Sequence, residues 1–425
     1  MCIVETILIP ILANISDTTK WQRDFIIELF KSIFSRQGRV NFENLSRYSN
    51  YKELTHRRQF TKFFDWFKFN LGFVNLSLGV YIGVIDCSFI NKSGKCTFGL
   101  DKFWSGVANR TKQGLEISVL GCIHVNSGKA TVLDVSQTPA GLAQSKTTKT
   151  TKTAKTAKTT KTAKTDTTDT TAKKAPYTRI DYYLEQILDC LPKLTSLIYF
   201  VADGFYAKTK IFETLINQGK HLITKLRVDA NLKYLNNKPR TKGQGGAPAK
   251  YDGKVIFNDL SKWVLVGPDE KYPHLSIYTQ KLYAVNFERI LRVVLLLNTK
   301  TNKYVLLACT DTELDARLIT KYYQSRFQIE FLFRDAKQFM GLNDCQARDE
   351  NKLDFHFNAT LSAVNIAREA MSQKEIYNKS MNNFMRQHYN QKLVENIYTQ
   401  LSQNAEFDLI NPVWDEAILW GNLAT

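Results

Sequence analysis

The stretch YQSRFQIEFLFRDAK, Tyr323 to Lys337, decides the reading of this chain. Tyr323, Arg326, Glu330 and Lys337 follow one another at spacings of three, four and seven residues, which on an α-helix sets them along one face. Arg334 falls on that face as well. Phe327, Phe331 and Leu332 form the opposing apolar stripe, so the segment is expected to be one amphipathic helix carrying a line of charge. A lone carboxylate flanked by cations suits a metal ligand beside bound phosphates. It equally suits a solvated face of i,i+4 ion pairs, and the segment alone does not choose between the two.

Two aspartates upstream bear on that choice. Asp86 sits inside the apolar run YIGVIDCSFI (81–90), and Asp203 closes SLIYFVAD just before Gly204. A carboxylate buried unpaired in an apolar strand is costly, so it calls for a metal or a cation. If the two strands are adjacent and parallel, Asp86 and Asp203 lie close together. Three carboxylates gathered there can hold two Mg²⁺ ions, which prefer oxygen ligands and phosphate partners, and two metals suit an in-line displacement at phosphorus. Asp203 also reads as a turn residue or helix cap. Asp311 and Glu313, in ACTDTEL, are expected to cap the helix leading to Tyr323. Asp335 is rotated by about 140° from Glu330 around the helix and should not reach the same metals. Asp101, Asp229 and Asp252 lie in loop-like or strand-end contexts and are weaker candidates.

The surrounding elements make a consistent order. YIGVIDCSFI, LEISVLGCIHV (115–125) and KATVLDVSQ (129–137) read as strands, the last two joined by a hairpin turn at Asn126-Ser127-Gly128. YYLEQILDCL (182–191) reads as a helix, SLIYFVADG (196–204) as a buried strand, AKTKIFETLINQG (207–219) as a helix ended by Gly219, and HLITKLR (221–227) as a further strand. This β-β-β-α-β-α-β order followed by a helix is that of an RNase H-like mixed sheet with helices on its faces. The core occupies 76–227, and 313–350 adds the helix bearing Glu330. Between them, 228–312 reads as a β-rich insertion that contains a basic, glycine-rich loop (240–254) and three strands, KLYAVNF, ILRVVLLLNT and KYVLLACT. A helical region is expected over 351–425.

Residues 1–75 are expected to form an N-terminal helical domain. WQRDFIIELFKSIF has helical apolar spacing and ends before Gly38. VNFENLSRYS and KELTHRRQFTKFFDWF then resemble two short helices joined at Ser49-Asn50. The second carries Lys52, His56, Arg57, Arg58 and Lys62, as the recognition helix of a helix-turn-helix would. Arg57 and Arg58 are the candidate DNA contacts, although a basic face on any small bundle gives the same pattern.

The formal net charge of +18 and pI near 9.4 favour a polyanionic partner, with nucleic acid first. Nine lysines and two aspartates fall in Lys146–Lys174, so much of the surplus belongs to one lysine/threonine tract. That tract, 145–176, lacks apolar residues and is expected to be disordered. It reads as a cationic arm for DNA or as a tolerated repeat in a surface loop. The seven cysteines show no zinc spacing and read as free thiols of a reducing cytoplasm. Glu5 precedes the apolar N-terminal run and no cation appears before Lys20, which argues against a signal peptide. No run has the length of a membrane span.

With these residues in view, the chain resembles the insertion-sequence DDE transposases of the IS-four type, whose hallmark is Y-x2-R-x3-E-x6-K. The likeness extends over VIDCSF with SGKCTFGLDKFWSG, FVADGFYAK, and YYQSRFQIEFLFRDAKQFMGLNDCQAR. It implies an RNase H-like DNA transposase with Asp86, Asp203 and Glu330 as the catalytic and metal-binding triad. Tyr323, Arg326 and Lys337 would hold phosphates or the element's end, and Arg334 joins them by helix geometry. It implies two Mg²⁺ ions, with Mn²⁺ as a substitute, and double-stranded DNA as partner, both terminal inverted repeats and target. It further implies a homodimer in the DNA complex and a nucleoid-associated, cytoplasmic location. The implied reaction is hydrolysis at the element's end followed by attack of the freed 3′-OH on target DNA. Some relatives use an aromatic residue of the insertion to hold a flipped base, and neither Trp263 nor Tyr304 is assignable to that task from sequence. Two other readings stand beside this one: a metal-dependent nuclease of the same fold that cuts without joining, and a catalytically silent DNA-binding regulator.

Overall fold

The computed structural model describes residues 2–142, 177–236, 249–373 and 380–402. The lysine/threonine tract and the expectation of disorder there lie outside the described residues, as does most of the glycine-rich loop before Tyr251.

The apolar N-terminal segment is a core helix, α1 (Ile3–Ala13), which buries Val4, Leu8 and Leu12 at four-residue spacing. Helix α2 (Lys20–Ser35) is capped by the Thr19 hydroxyl, and Gly38 takes φ +80°, a conformation open to glycine at no steric cost. The two short helices expected next are α3 (Phe42–Arg47), capped by Asn41, and α4 (Glu53–Gln59). His56 does not belong to the basic face of α4: it is fully buried, 5.4 Å from the Phe25 ring, and burial pushes its pKa down to about 4. Arg57 and Arg58 are exposed, Arg57 pairing with Glu53 and lying 5.1 Å above Phe42. Helix α5 (Trp66–Leu71) then leads into the sheet.

Twelve strands among the described residues form one sheet. The first half holds β1 (Tyr81–Asn91), β2 (Asp101–Ser105), β3 (Arg110–His124), β4 (Ala130–Gln137), β5 (Tyr199–Ala202) and β6 (His221–Leu226). Helices α6 (Arg179–Cys190) and α7 (Thr209–Asn217) connect the later members. β1 runs antiparallel to β3 and parallel to β5, and β5 runs parallel to β6. This is the mixed sheet of an RNase H-like core. Gly83 on β1 faces Phe200 on β5, whose ring would stand 2.3 Å from any Cβ at that position. A side chain there would have to displace the Phe200 ring.

The second half holds β7 (Leu232–Leu235), β8 (Tyr251–Lys254), β9 (Val264–Pro268), β10 (Leu275–Ala284), β11 (Arg289–Asn298) and β12 (Tyr304–Cys309). β12 pairs antiparallel with β6, so the strands of the insertion continue the core sheet in the order β12, β11, β10, β7, β8, with β9 also on β10. Tyr251 to Lys254 had been expected to be loop. They pair with β7, and the short strands β2, β7 and β9 were likewise unannounced.

Alternation along the central strands sends neighbouring side chains to opposite layers. Val84, Val201, Ile223 and Leu307 pack into one apolar layer, whose helical contributors include α1, α2, α8 (Ala316–Ser325), α9 (Gln328–Gln338) and α10 (Glu350–Gln373). Ile85, Phe200, Leu222 and Leu306 face the other layer, beneath α6 and α7. Helix α11 (Met381–Ser402) packs on α2. Among the described residues no helix is long and apolar enough to cross a membrane. All seven cysteines are free.

Candidate functional site

Tyr323 to Lys337 is not one helix. Helix α8 ends at Ser325, Arg326 and Phe327 form a turn, and α9 begins at Gln328. Across the turn the backbone bonds shorten to i→i−3: Arg326 N–H donates to Tyr323 O at 3.1 Å, Ile329 N–H to Arg326 O at 3.1 Å and Glu330 N–H to Phe327 O at 3.1 Å. This tightening rotates α9 relative to α8. The buried stripe of α9 is therefore Ile329, Leu332, Phe333 and Ala336, while Phe327 is 49% exposed and meets Phe331 edge to face.

The cap of α8 also differs from expectation. Asp315, not Asp311 or Glu313, accepts from Arg317 N and Leu318 N. Asp311 instead accepts from the Tyr199 hydroxyl at 2.8 Å, and Glu313 pairs with Lys281 at 2.6 Å.

Asp86 lies at the centre of β1, opposite Val119 of β3, one residue beyond the Ile85–Ala202 match with β5. Its side chain takes the layer of Val84, on the side of α8 and α9. Oδ1 accepts from Cys87 N at 2.9 Å, and Oδ2 is 3.3 Å from the Arg326 guanidinium. Asp203 follows directly on β5. It does cap the single 3₁₀ turn Gly204–Tyr206, Oδ1 accepting from Phe205 N at 2.9 Å, and its carbonyl accepts from Thr224 Oγ1 at 2.7 Å. The cap and a place beside Asp86 are compatible, because a carboxylate accepts at both oxygens. Glu330, in the first turn of α9, accepts from the same Arg326 at 2.8 Å and remains 41% exposed.

Electrostatics bind these groups into one cluster. Burial pushes the Asp86 carboxyl up to about 7, Arg326 opposes that rise, and the charges of Asp203 and Glu330 add to it. The Tyr323 hydroxyl is raised by burial, which Arg326 opposes and Asp203 reinforces, and Arg326 lies 5.9 Å from its ring. Among the described residues no three His, Cys, Asp or Glu side chains are arranged to hold a metal as they stand. The space between Asp86 and Glu330 is bridged by Arg326. The donor set, all carboxylate oxygen with one neighbouring carboxylate raising the pKa of another, nevertheless suits a hard divalent cation such as Mg²⁺.

Lys337 lies farther along β1, its ammonium donating to Phe89 O at 3.0 Å, and burial lowers its pKa. Arg334 is turned elsewhere: it stacks 4.7 Å over Phe331, pairs with Asp335 at 3.1 Å and contacts none of the three carboxylates among the described residues. Asp335 is buried and also held by Arg368 of α10 at 2.8 Å. Trp263 is buried beneath the insertion, and the Tyr304 hydroxyl donates to Val228 O.

A second polar group lies under the site on the opposite layer and was not anticipated. Cys87, next to Asp86, shares a hydrogen bond of 3.1 Å with the hydroxyl of Tyr206, the last residue of the turn that begins after Asp203. The Tyr183 hydroxyl of α6 donates to Glu116 of β3 at 2.6 Å, with the two tyrosine rings 5.9 Å apart. Tyr206 stands three residues after Asp203, and that spacing was the only signal in the sequence.

A family model described as "Transposase DDE domain" matches residues 135–366, more than half of the chain. The matched segment contains Asp203, Tyr323, Arg326, Glu330 and Lys337, while Asp86 precedes it. No curated protein matches the chain.

Proposed function

The chain belongs to the DDE transposase family, a family of DNA-cutting enzymes, and on that premise we infer that it binds the ends of an insertion sequence of the IS-four type, cleaves them and joins the freed 3′-OH ends to target DNA. The observation that supports this reading is a coupled carboxylate cluster: Arg326 bridges Asp86 and Glu330, and the charge of Asp203, just past the strand parallel to β1, raises the Asp86 pKa.

In this reading Asp86, Asp203 and Glu330 hold two Mg²⁺ ions, with Mn²⁺ as a substitute. Such ions, when bound, supply Lewis acidity at the scissile phosphate and lower the pKa of water. The chain's own residues do the rest. Asp86, reluctant to ionise in its buried place, becomes a strong ligand once a cation is near. Arg326, released from the carboxylates, would offer its planar guanidinium fork to a phosphate. Tyr323 limits where that guanidinium can swing, and Lys337 lies along the strand to meet the next phosphate. Arg334 offers a more peripheral contact, above Phe331. Helices α3 and α4 present Arg57 and Arg58 to the element's end, and two copies pair on two DNA ends. The segments 1–75, 76–227, 228–312, 313–350 and 351–425 serve as DNA-binding, core, sheet-extending, catalytic-helix and C-terminal parts.

The test uses the full chain and DNA carrying the sequences that flank its coding region. Asp86→Asn, Asp203→Asn and Glu330→Gln should each lower Mg²⁺-dependent cleavage by about 10³-fold or more and leave DNA binding intact. Cleavage that survives any one of them removes that residue from the triad, and cleavage without joined products in a plasmid assay favours a nuclease that does not transfer strands.

A further inference from the structure

Beyond the end of β1 a second cationic site opens. A cleft of about 580 Å³ lies between the loop after Asn91, the segment after α9 and the loop after α2, and its charged lining is Arg39, Lys92, Arg348 and Asp344. The single anion is committed, since Asp344 Oδ2 accepts from Val40 N at 2.9 Å. Lys92 is committed too. Its ammonium donates to the carbonyls of Cys345 and of Ala347, the latter at 3.1 Å, and so ties the end of β1 to the loop that presents Arg348. The Arg348 backbone is fixed as well, its carbonyl accepting from Phe98 N at 2.9 Å. Arg39 and Arg348 themselves are exposed and form no ion pair among the described residues.

Three cations on fixed loops face the single carboxylate of Asp344, and the positive charge left over favours an anion. Placement indicates which anion. Lys337 meets β1 at Phe89, three residues past Asp86, and Lys92 follows three residues later. At roughly 3.3 Å per strand residue, these points lie roughly 10 and 20 Å from Asp86. The cations thus follow β1 in a line away from the carboxylates. The adjoining cavity toward α4 sets Glu43, Glu53 and Asp349 against Arg57, Arg348 and Lys352, so the uncompensated cations end at Arg348. A polyanion with repeating charges matches such a line better than a single small ion would.

We propose that this cleft binds the phosphodiester backbone of the DNA strand leading away from the carboxylate site. Arg39 and Arg348 contact the phosphates and Lys92 braces the loop that carries Arg348. The proposal rests on the reading of the chain as a DNA-cutting enzyme.

The experiment measures binding of the full chain to a fluorescein-labelled random-sequence duplex by anisotropy, across a series of KCl concentrations. Each phosphate contact adds about 0.9 to the slope of log K against log salt. The double variant Arg39→Ala/Arg348→Ala should therefore lower the slope by about two, whereas Lys300→Ala/Lys303→Ala, which removes equal charge at the turn between β11 and β12, should leave it near wild type. Both pairs are exposed, so circular dichroism should show unchanged folding. An unchanged slope in the first variant, or an equal fall in both, overturns the cleft as a site. A wild-type protein with no salt-dependent binding would instead overturn the DNA-cutting reading itself, so the two failures are distinguishable. As a second readout, a photo-crosslinker on Arg348→Cys in a Cys96→Ser background should mark the duplex roughly three to six nucleotides from the cleaved bond, given a rise near 3.4 Å per nucleotide along the axis, and the Cys96→Ser parent should leave that mark absent. Marking spread evenly along the DNA would count against the proposal.

Discussion

Arg326 stands 3.3 Å from Asp86 and so ties the turn between α8 and α9 to the central strand of the sheet. The same guanidinium holds Glu330 at 2.8 Å, so one cation bridges two of the three carboxylates. Replacing Arg326 by alanine should cost about 1.5–3 kcal/mol of metal-free stability at pH 8, the range of hydrogen bonds to charged groups. The loss should be smaller at pH 5, where Asp86 is protonated and needs no partner. Urea denaturation in EDTA at the two pH values measures this, and equal losses would show that the bridge to Asp86 contributes nothing.

The raised pKa of Asp86 predicts a pH trend of definite sign. Its folded value, about 7, lies above the ordinary 3.8, so the folded chain holds the proton more tightly than the unfolded chain does. Stability from this group is complete below about pH 4 and declines as pH rises toward 7. Asp354, pushed up to about 6 by burial, and Glu116 and Asp134, also raised chiefly by burial, act in the same direction. Asp86→Asn should therefore flatten the metal-free decline between pH 4 and 7 without abolishing it. A variant whose stability curve runs parallel to wild type over that range would contradict the assignment.

The hydrogen bond between Cys87 and Tyr206 joins the residue after Asp86 to the turn after Asp203. Tyr206→Phe keeps the buried ring and removes only the hydroxyl, at a cost of about 1 kcal/mol in stability. If the bond positions the aspartates, the Mg²⁺ concentration needed for half-maximal cleavage should rise several-fold while DNA affinity stays unchanged. A loss of stability with an unaltered Mg²⁺ requirement would leave Tyr206 a packing residue only.

Because β12 pairs with β6, the insertion and the core share one hydrogen-bonded sheet. Leu295 of β11 is fully buried, and Leu295→Ala should cost about 2–5 kcal/mol. That loss should appear throughout the sheet, with faster hydrogen exchange in β1 and β5 as well as in β11. Exchange that quickens only within 228–312 would mean that the insertion unfolds independently.

The three candidate acids were legible because their signals are local. Asp86 stands out as a charge within an apolar strand, Asp203 as the last residue before a glycine, and Glu330 through its spacing from Tyr323, Arg326 and Lys337. Each follows from backbone periodicity, which the chain carries in its own order of residues. The break at Arg326 was hidden, since no glycine or proline marks it and helical spacing continues through it. Phe327 and Phe331 were misplaced for the same reason, because a small local tightening redirects every side chain beyond it. Asp315 caps α8 although Asp311 and Glu313 offer the same chemistry a few residues earlier, and helix boundaries are where sequence patterns are least definite.

By itself, then, the order of residues determined the long strands and helices and the mixed core, and singled out three candidate acids, through alternation, helical spacing and the expense of burying charge. Tertiary structure alone decided that the insertion extends the core sheet, that Arg326 bridges Asp86 and Glu330, that His56 turns inward and Arg334 away, and that Tyr206 reaches Cys87. Each of these depends on strand pairing or packing between residues far apart in the chain, where local spacing holds no information about which surfaces meet.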